Sequence, residues 1–264
     1  MERNLKEILD QSLVIIEQAA EFISAEFSTI NKDQIEYKGF NDLVSYVDKG
    51  AEKILVEGLQ KVLPDAGILA EEGTGKQANE KYTWIIDPVD GTTNYLHGLP
   101  IFAISVALME NDQPIVGIVY EINRREVFTA TLGGGAFCNG EPIHVSRAKT
   151  LGESLIATGF PYYDFGKMEN YLSILHSLMK SSHGLRRLGS AAVDLVYVAC
   201  GRFESYFEYN LKPWDVAAGT LIVREAGGMV TEFTGSGDPI FGKEILASNA
   251  LIHQSMIDAI AKHW

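Results

Sequence analysis

Basic residues are scarce in this chain. Its 264 residues hold 22 Lys and Arg against 35 Asp and Glu, a formal net charge of -13. That balance argues against a sequence-independent grip on nucleic acid, which depends on Lys and Arg displacing counterions from phosphates. A small anionic substrate stays open, but positive charge must then be concentrated locally, and a metal ion is the economical source. Cysteine is scarcer still. Only Cys138 and Cys200 occur, in neither a metal-binding nor a redox spacing, so two buried reduced thiols are expected. No stretch approaches the ~18 apolar residues of a membrane span. The opening MERNLKEILD is charged and amphipathic, without the apolar centre of a signal peptide, so a cytoplasmic location with no membrane association is expected. Repeats and low-complexity segments are absent as well. What is present, 46% hydrophobic and 22% charged residues, is the make-up of a globular protein, long enough to bury a substantial core in one large domain or two small ones.

Apolar residues at Leu5, Ile8, Leu9, Leu13, Ile16, Ala20 and Ile23 predict an amphipathic helix of several turns. A second helix is expected with Asn41 or Asp42 as its cap and Leu43, Val44, Val47, Ala51, Ile54, Leu55 and Leu59 on its buried face. Asp48 stands at the edge of that face, as either an inward carboxylate or a solvated flanking charge. Ile68-Leu69-Ala70 reads as a strand that delivers Glu71 and Glu72, residues 74–81 as a loop, and Tyr82 to Ile86 as the next strand. Ala103 to Met109, Pro114 to Tyr120 and Glu126 to Thr131 are separated by short turn-forming spacers, the pattern of an antiparallel meander that Ala136 to Asn139 extends. Gly133-Gly134-Gly135 is a hairpin turn on this reading rather than a phosphate cradle, because no helix start follows it. A soft boundary near His144 to Leu151 divides the chain into 1–145 and 146–264. Beyond it, strands at Ser154 to Thr158, Leu185 to Leu188, Ser205 to Phe207, Met229 to Thr231 and Glu244 to Ala247 alternate with helices at Met168 to Ser181, Ala191 to Ala199, Trp214 to Glu225 and from about Leu251, which implies a layered α/β sheet.

The stretch that carries chemistry is Tyr82 to Gly98. Its apolar run ends in Asp87 and Asp90, separated by Pro88-Val89 and followed by Gly91-Thr92-Thr93-Asn94. Alone, Asp-Pro-x-Asp-Gly is equally an acidic surface turn. Pro88 biases Asp87 toward an extended conformation, so the chain is expected to turn just after the strand. Two carboxylates held this close repel, and either a proton or a divalent cation relieves the conflict. All-oxygen ligands without Cys or His select Mg²⁺ or Mn²⁺ over zinc, with the Val89 carbonyl a further candidate. Gly91 lets backbone N–H groups approach an oxyanion closely. The Thr92 hydroxyl can hold a water if a carboxylate accepts from it, while helix capping is the other use for Thr92 and Thr93. In Pro213-Trp214-Asp215-Val216-Ala217-Ala218-Gly219, Asp215 falls in the first turn of a helix, where an acid also serves the helix dipole. Arg186-Arg187 can reach a second phosphate or form an ordinary charged face.

Taken together, Glu71-Glu72-Gly73, Asp87 to Asn94, Trp214 to Gly219 and Glu225-Ala226-Gly227-Gly228 resemble the inositol monophosphatase family of Mg²⁺-dependent, lithium-inhibited phosphatases. Asp42-Leu43-Val44 with Asp48, and Asn249 near the C-terminus, extend the likeness over nearly the whole chain. The resemblance implies a layered α-β-α-β-α sandwich with antiparallel or mixed sheets, an active site between the two halves, and a homodimer. It also implies Glu71, Asp87 and the Val89 carbonyl around a first Mg²⁺, Asp87, Asp90 and Asp215 around a second, and a weaker third ion near Glu71, with Mn²⁺ a possible substitute. Asp48, Glu71 and Thr92 become the catalytic set, with Thr92 and Asp48 orienting the attacking water. Asp90, Gly91, Thr92, Thr93, Ser190, Ala191 and Glu208 become the substrate contacts. The implied substrate is a small phosphorylated polyol, foremost myo-inositol monophosphate. Relatives that cleave fructose-1,6-bisphosphate, NADP, histidinol phosphate or nucleotide 3′-phosphates, and a bacterial relative that joins transcription complexes, supply the alternatives. Thr93-Asn94 favours the inositol branch over the nucleotidases, whereas Tyr209-Asn210-Leu211-Lys212 and Phe160-Pro161-Tyr162-Tyr163 leave the alcohol undefined.

Overall fold

Helical spacing and strand alternation sort this chain into five layers, as seen in a computed structural model that describes residues 4–27, 36–39, 42–44, 46–73, 81–161 and 165–264. The outermost layer is α1 (Leu5–Phe27) against α2 (Tyr46–Val62). Their apolar stripes, including Ile16, Ile23, Val47, Ala51, Leu55 and Leu59, are all withdrawn from solvent. They cover a seven-stranded sheet in the order β3-β4-β5-β6-β7-β8-β9. Its strands are β3 (Gly67–Ala70), β4 (Tyr82–Asp90), β5 (Ala103–Glu110), β6 (Gln113–Glu121), β7 (Glu126–Thr131), β8 (Gly135–Cys138) and β9 (Glu141–Pro142). Only β3 and β4 pair in parallel; from β4 to β9 the strands form the expected antiparallel meander. The glycine triplet is indeed the β7–β8 hairpin, and Glu225 accepts from the N–H groups of Gly133 and Gly135 at 2.8 Å each.

On the other face of this sheet lie α5 (Ala191–Ala199) and α6 (Pro213–Glu225), and beyond them a second, mixed sheet. Its order is β11-β10-β12-β14-β13, built from β10 (Leu155–Thr158), β11 (Gly184–Arg186), β12 (Ser205–Tyr209), β13 (Met229–Thr231) and β14 (Glu244–Ser248). The fifth layer is α4 (Met168–Ser181) with α7 (His253–Ile260). One apolar cluster joins Ile85, Ala103 and Phe128 of the first sheet to Val193, Leu195, Ala217 and Leu221 of α5 and α6, so the middle of the molecule is a single core crossing the 145/146 position. The remaining short elements among the described residues are α3 (Thr92–Leu96), a 3-10 turn at Leu151–Glu153 and the hairpin of β1 (Glu36–Gly39) with β2 (Asp42–Val44).

Two expectations change. Asp42, Leu43 and Val44 do not begin the second helix but form β2, and α2 starts at Tyr46. Leu43 and Val44 stand at helical spacing from Val47, yet backbone pairing with β1 satisfies them as a strand. Asn41 lies outside the described residues. The strand expected to stop at Ile86 continues to Asp90, so the two aspartates belong to a strand end rather than to a turn after it. No described helix is long and apolar enough to cross a membrane.

The first interlayer core gives a direct test. Ile16 is fully buried between α1 and the sheet, whereas Val14 on the opposite face is 53% exposed. Ile16→Ala is expected to cost about 2–4 kcal/mol in urea unfolding, and Val14→Ala to stay within about 0.5 kcal/mol of the parent. Equal losses would contradict this packing.

Candidate active site

Asp87 and Asp90 are three residues apart, and in a regular strand they would point to opposite faces. They do not, because β4 is bulged between them: Asp87 pairs with Ser105, but Asp90 pairs with Ala103, three steps along one strand against two along the other. The bulge falls at Pro88-Val89, where a residue without an N–H leaves no ladder donor unmet. Asp87 Oδ1 accepts from the Val89 N–H at 2.9 Å. From the far half of the chain, Asp215 arrives as the third residue of α6. Its Oδ2 accepts from the Lys212 N–H at 2.7 Å, and Ser105 Oγ donates to the Trp214 carbonyl at 3.0 Å, tying the start of α6 to β5. The result is one carboxylate oxygen from each of Asp87, Asp90 and Asp215, all within 4.8 Å of one another.

Glu71 follows β3 directly and is held beside this group from two sides. Its N–H donates to the Ile86 carbonyl at 3.2 Å, and the next N–H, of Glu72, donates to Glu52 Oε2 of α2 at 2.6 Å. After burial, the neighbouring Glu71 is the first of the charges that raise the Asp87 carboxyl.

After Asp90 the chain reverses through Gly91, at φ 99° and ψ 31°. A Cβ there would lie 3.0 Å from the Ile101 carbonyl oxygen and 3.3 Å from that of Gly189, so both the conformation and the close approach require glycine. The first hydrogen bond of α3 runs from the Tyr95 N–H to the Gly91 carbonyl, which leaves the N–H groups of Thr92 and Thr93 ahead of the ladder. Thr92 Oγ1 lies 3.0 Å from both Asp48 Oδ1 and the Val89 carbonyl, so its proton has an acceptor and its lone pairs can face the cavity. Asp48, expected to be either inward or solvated, is fully buried. An aromatic trio of Phe27, Tyr95 and Phe102, with ring centroids 4.9–5.2 Å apart, locks α3 against α1.

A cavity of about 390 Å³ opens over these groups. It brings together Glu71, Asp87, Val89, Asp90, Gly91, Thr92, Thr93, Ser190, Ala191, Glu208 and Asp215; of the residues expected at the site, only Asp48 stands outside, behind Thr92. Ser190 caps α5 and donates from Oγ to Asp90 Oδ2 at 2.6 Å, and the Ala192 N–H donates to the same oxygen at 2.6 Å. Glu208 lines the cavity from β12, accepting from the Tyr206 hydroxyl at 2.6 Å. It can lie there because residue 159 is glycine, where a Cβ would sit 1.8 Å from Glu208 Oε2. Three further residues complete the site beyond those expected to bind metal or substrate, Asn94 having been noted only as the end of its motif. Asn94 donates to the carbonyls of Ile101 and Leu188 at 2.8 Å each, fastening α3 to the loop before α5. Gly159 and Asp194 line the wall, and only Asp194 carried a signal, as the one charge in the apolar helix AAVDLVYVA. Arg187, weighed in the sequence as a second-phosphate contact, lines the cavity with its guanidinium 5.7 Å from the Phe160 ring.

Electrostatically the site is unfinished. Among the described residues, six carboxyl residues line it (Glu71, Asp87, Asp90, Asp194, Glu208, Asp215) against two cations, Arg187 and Lys212. Burial, reinforced by Glu71, Asp90 and Asp215, pushes the Asp87 carboxyl well up from its ordinary value. Asp215 is raised by burial and then by Asp90, against the Lys212 N–H. Asp90 is pushed by burial to about 6, although Ser190, the amides of α5 and Arg187 all favour its charged form. The Glu208 carboxyl is lifted by burial to about 7. A hard divalent cation fits this donor set: the ligands are oxygens, and the cation removes a repulsion that otherwise forces protons onto them.

The profile of the inositol monophosphatase family matches residues 4–264, and the chain belongs to that family. An inositol-1-monophosphatase of Mesorhizobium japonicum is 39% identical over 246 residues, 93% of this chain and 92% of its own. The Nus factor SuhB of Escherichia coli is 40% identical over 241 residues, 91% of this chain and 90% of its own. Among solved structures, an inositol monophosphatase from Anabaena (Nostoc) superposes with a TM-score of 0.89 at 35% identity, covering 99% of this chain and 98% of that one. The five-layer mixed α/β fold is therefore the fold of these relatives, and a phosphatase is the class of protein they define.

Without a cation, the raised carboxyls bind protons in the folded state that the unfolded chain releases. The stability they lend is present at low pH and is lost as pH rises through the folded value, about 6 for Asp90. In chelator, Tm is expected to fall between about pH 5 and about pH 8, and the rise in Tm on adding Mg²⁺ to be larger at the higher pH, where the ligands are ionised. Asp215→Asn is expected to raise Tm in chelator at the higher pH and to shrink the Mg²⁺ effect. Identical Mg²⁺ shifts at both pH values would contradict this account.

Proposed function

We propose that the protein is a Mg²⁺-dependent phosphomonoesterase that releases inorganic phosphate from inositol monophosphate. The observation that carries the reading is the convergence of Asp87, Asp90 and Asp215 within 4.8 Å, beside a threonine hydroxyl already engaged with a buried carboxylate. Glu71, Asp87, the Val89 carbonyl, Asp90 and Asp215 would hold the ions, with Mn²⁺ able to replace Mg²⁺. When bound, the ions supply the positive charge that offsets the phosphate oxygens and the leaving alkoxide, and they acidify water.

The chain's own residues do the rest. Gly91 and Thr92 offer backbone N–H groups to the phosphate oxygens, and Thr93 borders the same position. Thr92, with Asp48 behind it, orients a water in line with the phosphorus–oxygen bond and passes a proton toward the buried carboxylate. Ser190 and the α5 amides fix Asp90. Ala191 and Glu208 face the alcohol, which Glu208 meets as a hydrogen-bond acceptor when ionised. Little covalent work remains for side chains, because positioning and charge neutralisation dominate phosphoryl transfer. The two stretches 1–145 and 146–264 act in this scheme as sub-domains, one holding most of the metal ligands and the other supplying Asp215 and the alcohol wall.

A relative bearing the name Nus factor SuhB favours a second reading, a role in a transcription complex in which catalysis is secondary. A metal-ligand variant would keep that role and lose the first.

Phosphate release with Mg²⁺ across inositol phosphates, fructose-1,6-bisphosphate, NADP, histidinol phosphate and a nucleotide 3′,5′-bisphosphate, with and without lithium, tests the assignment. Inositol monophosphate is expected to be the best substrate, and Asp90→Asn to lose at least about 10²-fold in kcat while remaining folded. Full activity in folded Asp90→Asn would sink the mechanism, and a strong preference for another ester would replace the substrate.

A further inference from the structure

Asp194 has no part in holding metal or phosphate in the scheme above. It lies four residues after Ser190 and three after Ala191, hence on the face of α5 that meets the cavity, and it lines that cavity. The carboxyl is 1% exposed, and its Oδ1 has no hydrogen-bond partner among the described residues. Its helix is otherwise apolar and packed into the central core, where an alanine or leucine would serve packing as well. A buried polar atom left unmade is costly, and native proteins seldom keep one without a use for it. Metal ligation is not that use, since the converging oxygens are those of Asp87, Asp90 and Asp215.

The surroundings indicate what would complete it. Burial first, and then Glu208 and Asp90, raise the Asp194 carboxyl, while Arg187 opposes them. A neutral carboxyl offers one O–H donor and acceptor oxygens, which suits a hydroxyl. Glu208 is held across the same wall by Tyr206 and by the missing side chain of Gly159.

We propose that Asp194 is a specificity-determining residue, pairing with Glu208 to form a hydroxyl-recognition wall that selects a polyhydroxylated alcohol as the group leaving from phosphate. Phosphate is held on the β4 and α3 side, and the alcohol is read on the α5 and β12 side. A leaving group with no hydroxyl besides the esterified one leaves Asp194 unmet, which penalises that substrate rather than merely failing to favour it. The inference rests on the phosphatase reading, and its test separates the two.

The test measures kcat/KM for inositol 1-phosphate and for phenyl phosphate with Mg²⁺ in the wild type, Asp194→Ala and Asp194→Asn. Because both esters are assayed on one sample, the ratio is independent of the fraction folded. Asp194→Ala is expected to lower the inositol-to-phenyl ratio by about tenfold, chiefly through KM. Asp194→Asn is expected to keep most of the ratio, since an amide also donates and accepts. An unchanged ratio in Asp194→Ala, or an equal loss on both esters, overturns the proposal. If the wild type turns over neither ester, the inositol phosphatase reading falls. The wall is then judged by titration calorimetry with inositol 1-phosphate, where binding about tenfold weaker to Asp194→Ala sustains it and equal binding overturns it.

Discussion

Mutual repulsion of three carboxylates is the constraint to which the rest of this molecule answers. Two unit charges separated by the 4.8 Å limit of Asp87, Asp90 and Asp215 repel by about 3 kcal/mol at an effective dielectric constant near 20. Left to itself, the chain would relax by moving one away. It is prevented from doing so in three places: the bulge at Pro88-Val89 fixes Asp87 and Asp90 on one side of β4, Ser105 pins the start of α6, and the first turn of α5 grips Asp90 through Ser190 and Ala192. Each restraint is a backbone or hydrogen-bonded feature rather than a counter-charge. The charge deficit is therefore preserved for something that arrives from solution.

Those restraints lead back to the central layer. Helices α5 and α6 belong to the second half of the sequence but pack on the first sheet, in one core with Ile85, Ala103 and Phe128. Asp215 consequently cannot shift by a fraction of an ångström without disturbing buried Val216, Ala217 and Leu221 beneath it. Close packing of the middle layer and convergence of the ligands are thus two consequences of the same contacts. The outer helices α1 and α2 contribute differently, by burying Asp48 behind Thr92 and by offering Glu52 to the turn that carries Glu71.

How far the sequence revealed this depended on whether a feature was local. The periodicity of Leu5 to Ile23 and the spaced strands of the meander were legible because burial of one face repeats along the element itself. Leu43-Val44 misled because an apolar pair at helical spacing from Val47 is also a good strand pair, and only its partner at 36–39 distinguishes the two. The proline in Asp-Pro-Val-Asp suggested a strand end, since the sequence cannot show that a bulge would accommodate it. Asp48 looked ambiguous for a similar reason: the hydroxyl that donates to it, on Thr92, lies 44 positions away. Asp194 was visible as a lone charge in an apolar helix, but the cavity it faces is assembled from β4, α3, β12 and α6. A signal of that kind has meaning only after the elements are placed.

The same assembly bears on binding order. A cavity lined, among the described residues, by six carboxyl residues and two cations, in a protein of net charge -13, presents a field hostile to a phosphate monoester. In the function proposed above, a divalent cation reverses that field locally, and the phosphate in turn screens cations from one another. Linkage then requires that each strengthen the binding of the other by the same factor. An alcohol without phosphate would feel less of this coupling, because on the proposed reading its contacts are the side chains of α5 and β12 rather than the ions. Tight metal retention and tight product retention therefore need not accompany each other: once the ester bond is cut, the polyol is left only with the hydroxyl-reading wall, while phosphate stays coupled to the ions. On that reading the part of the site that performs chemistry is separate from the part that chooses the alcohol, so the choice can change at Asp194 or Glu208 without altering Asp87, Asp90 or Asp215.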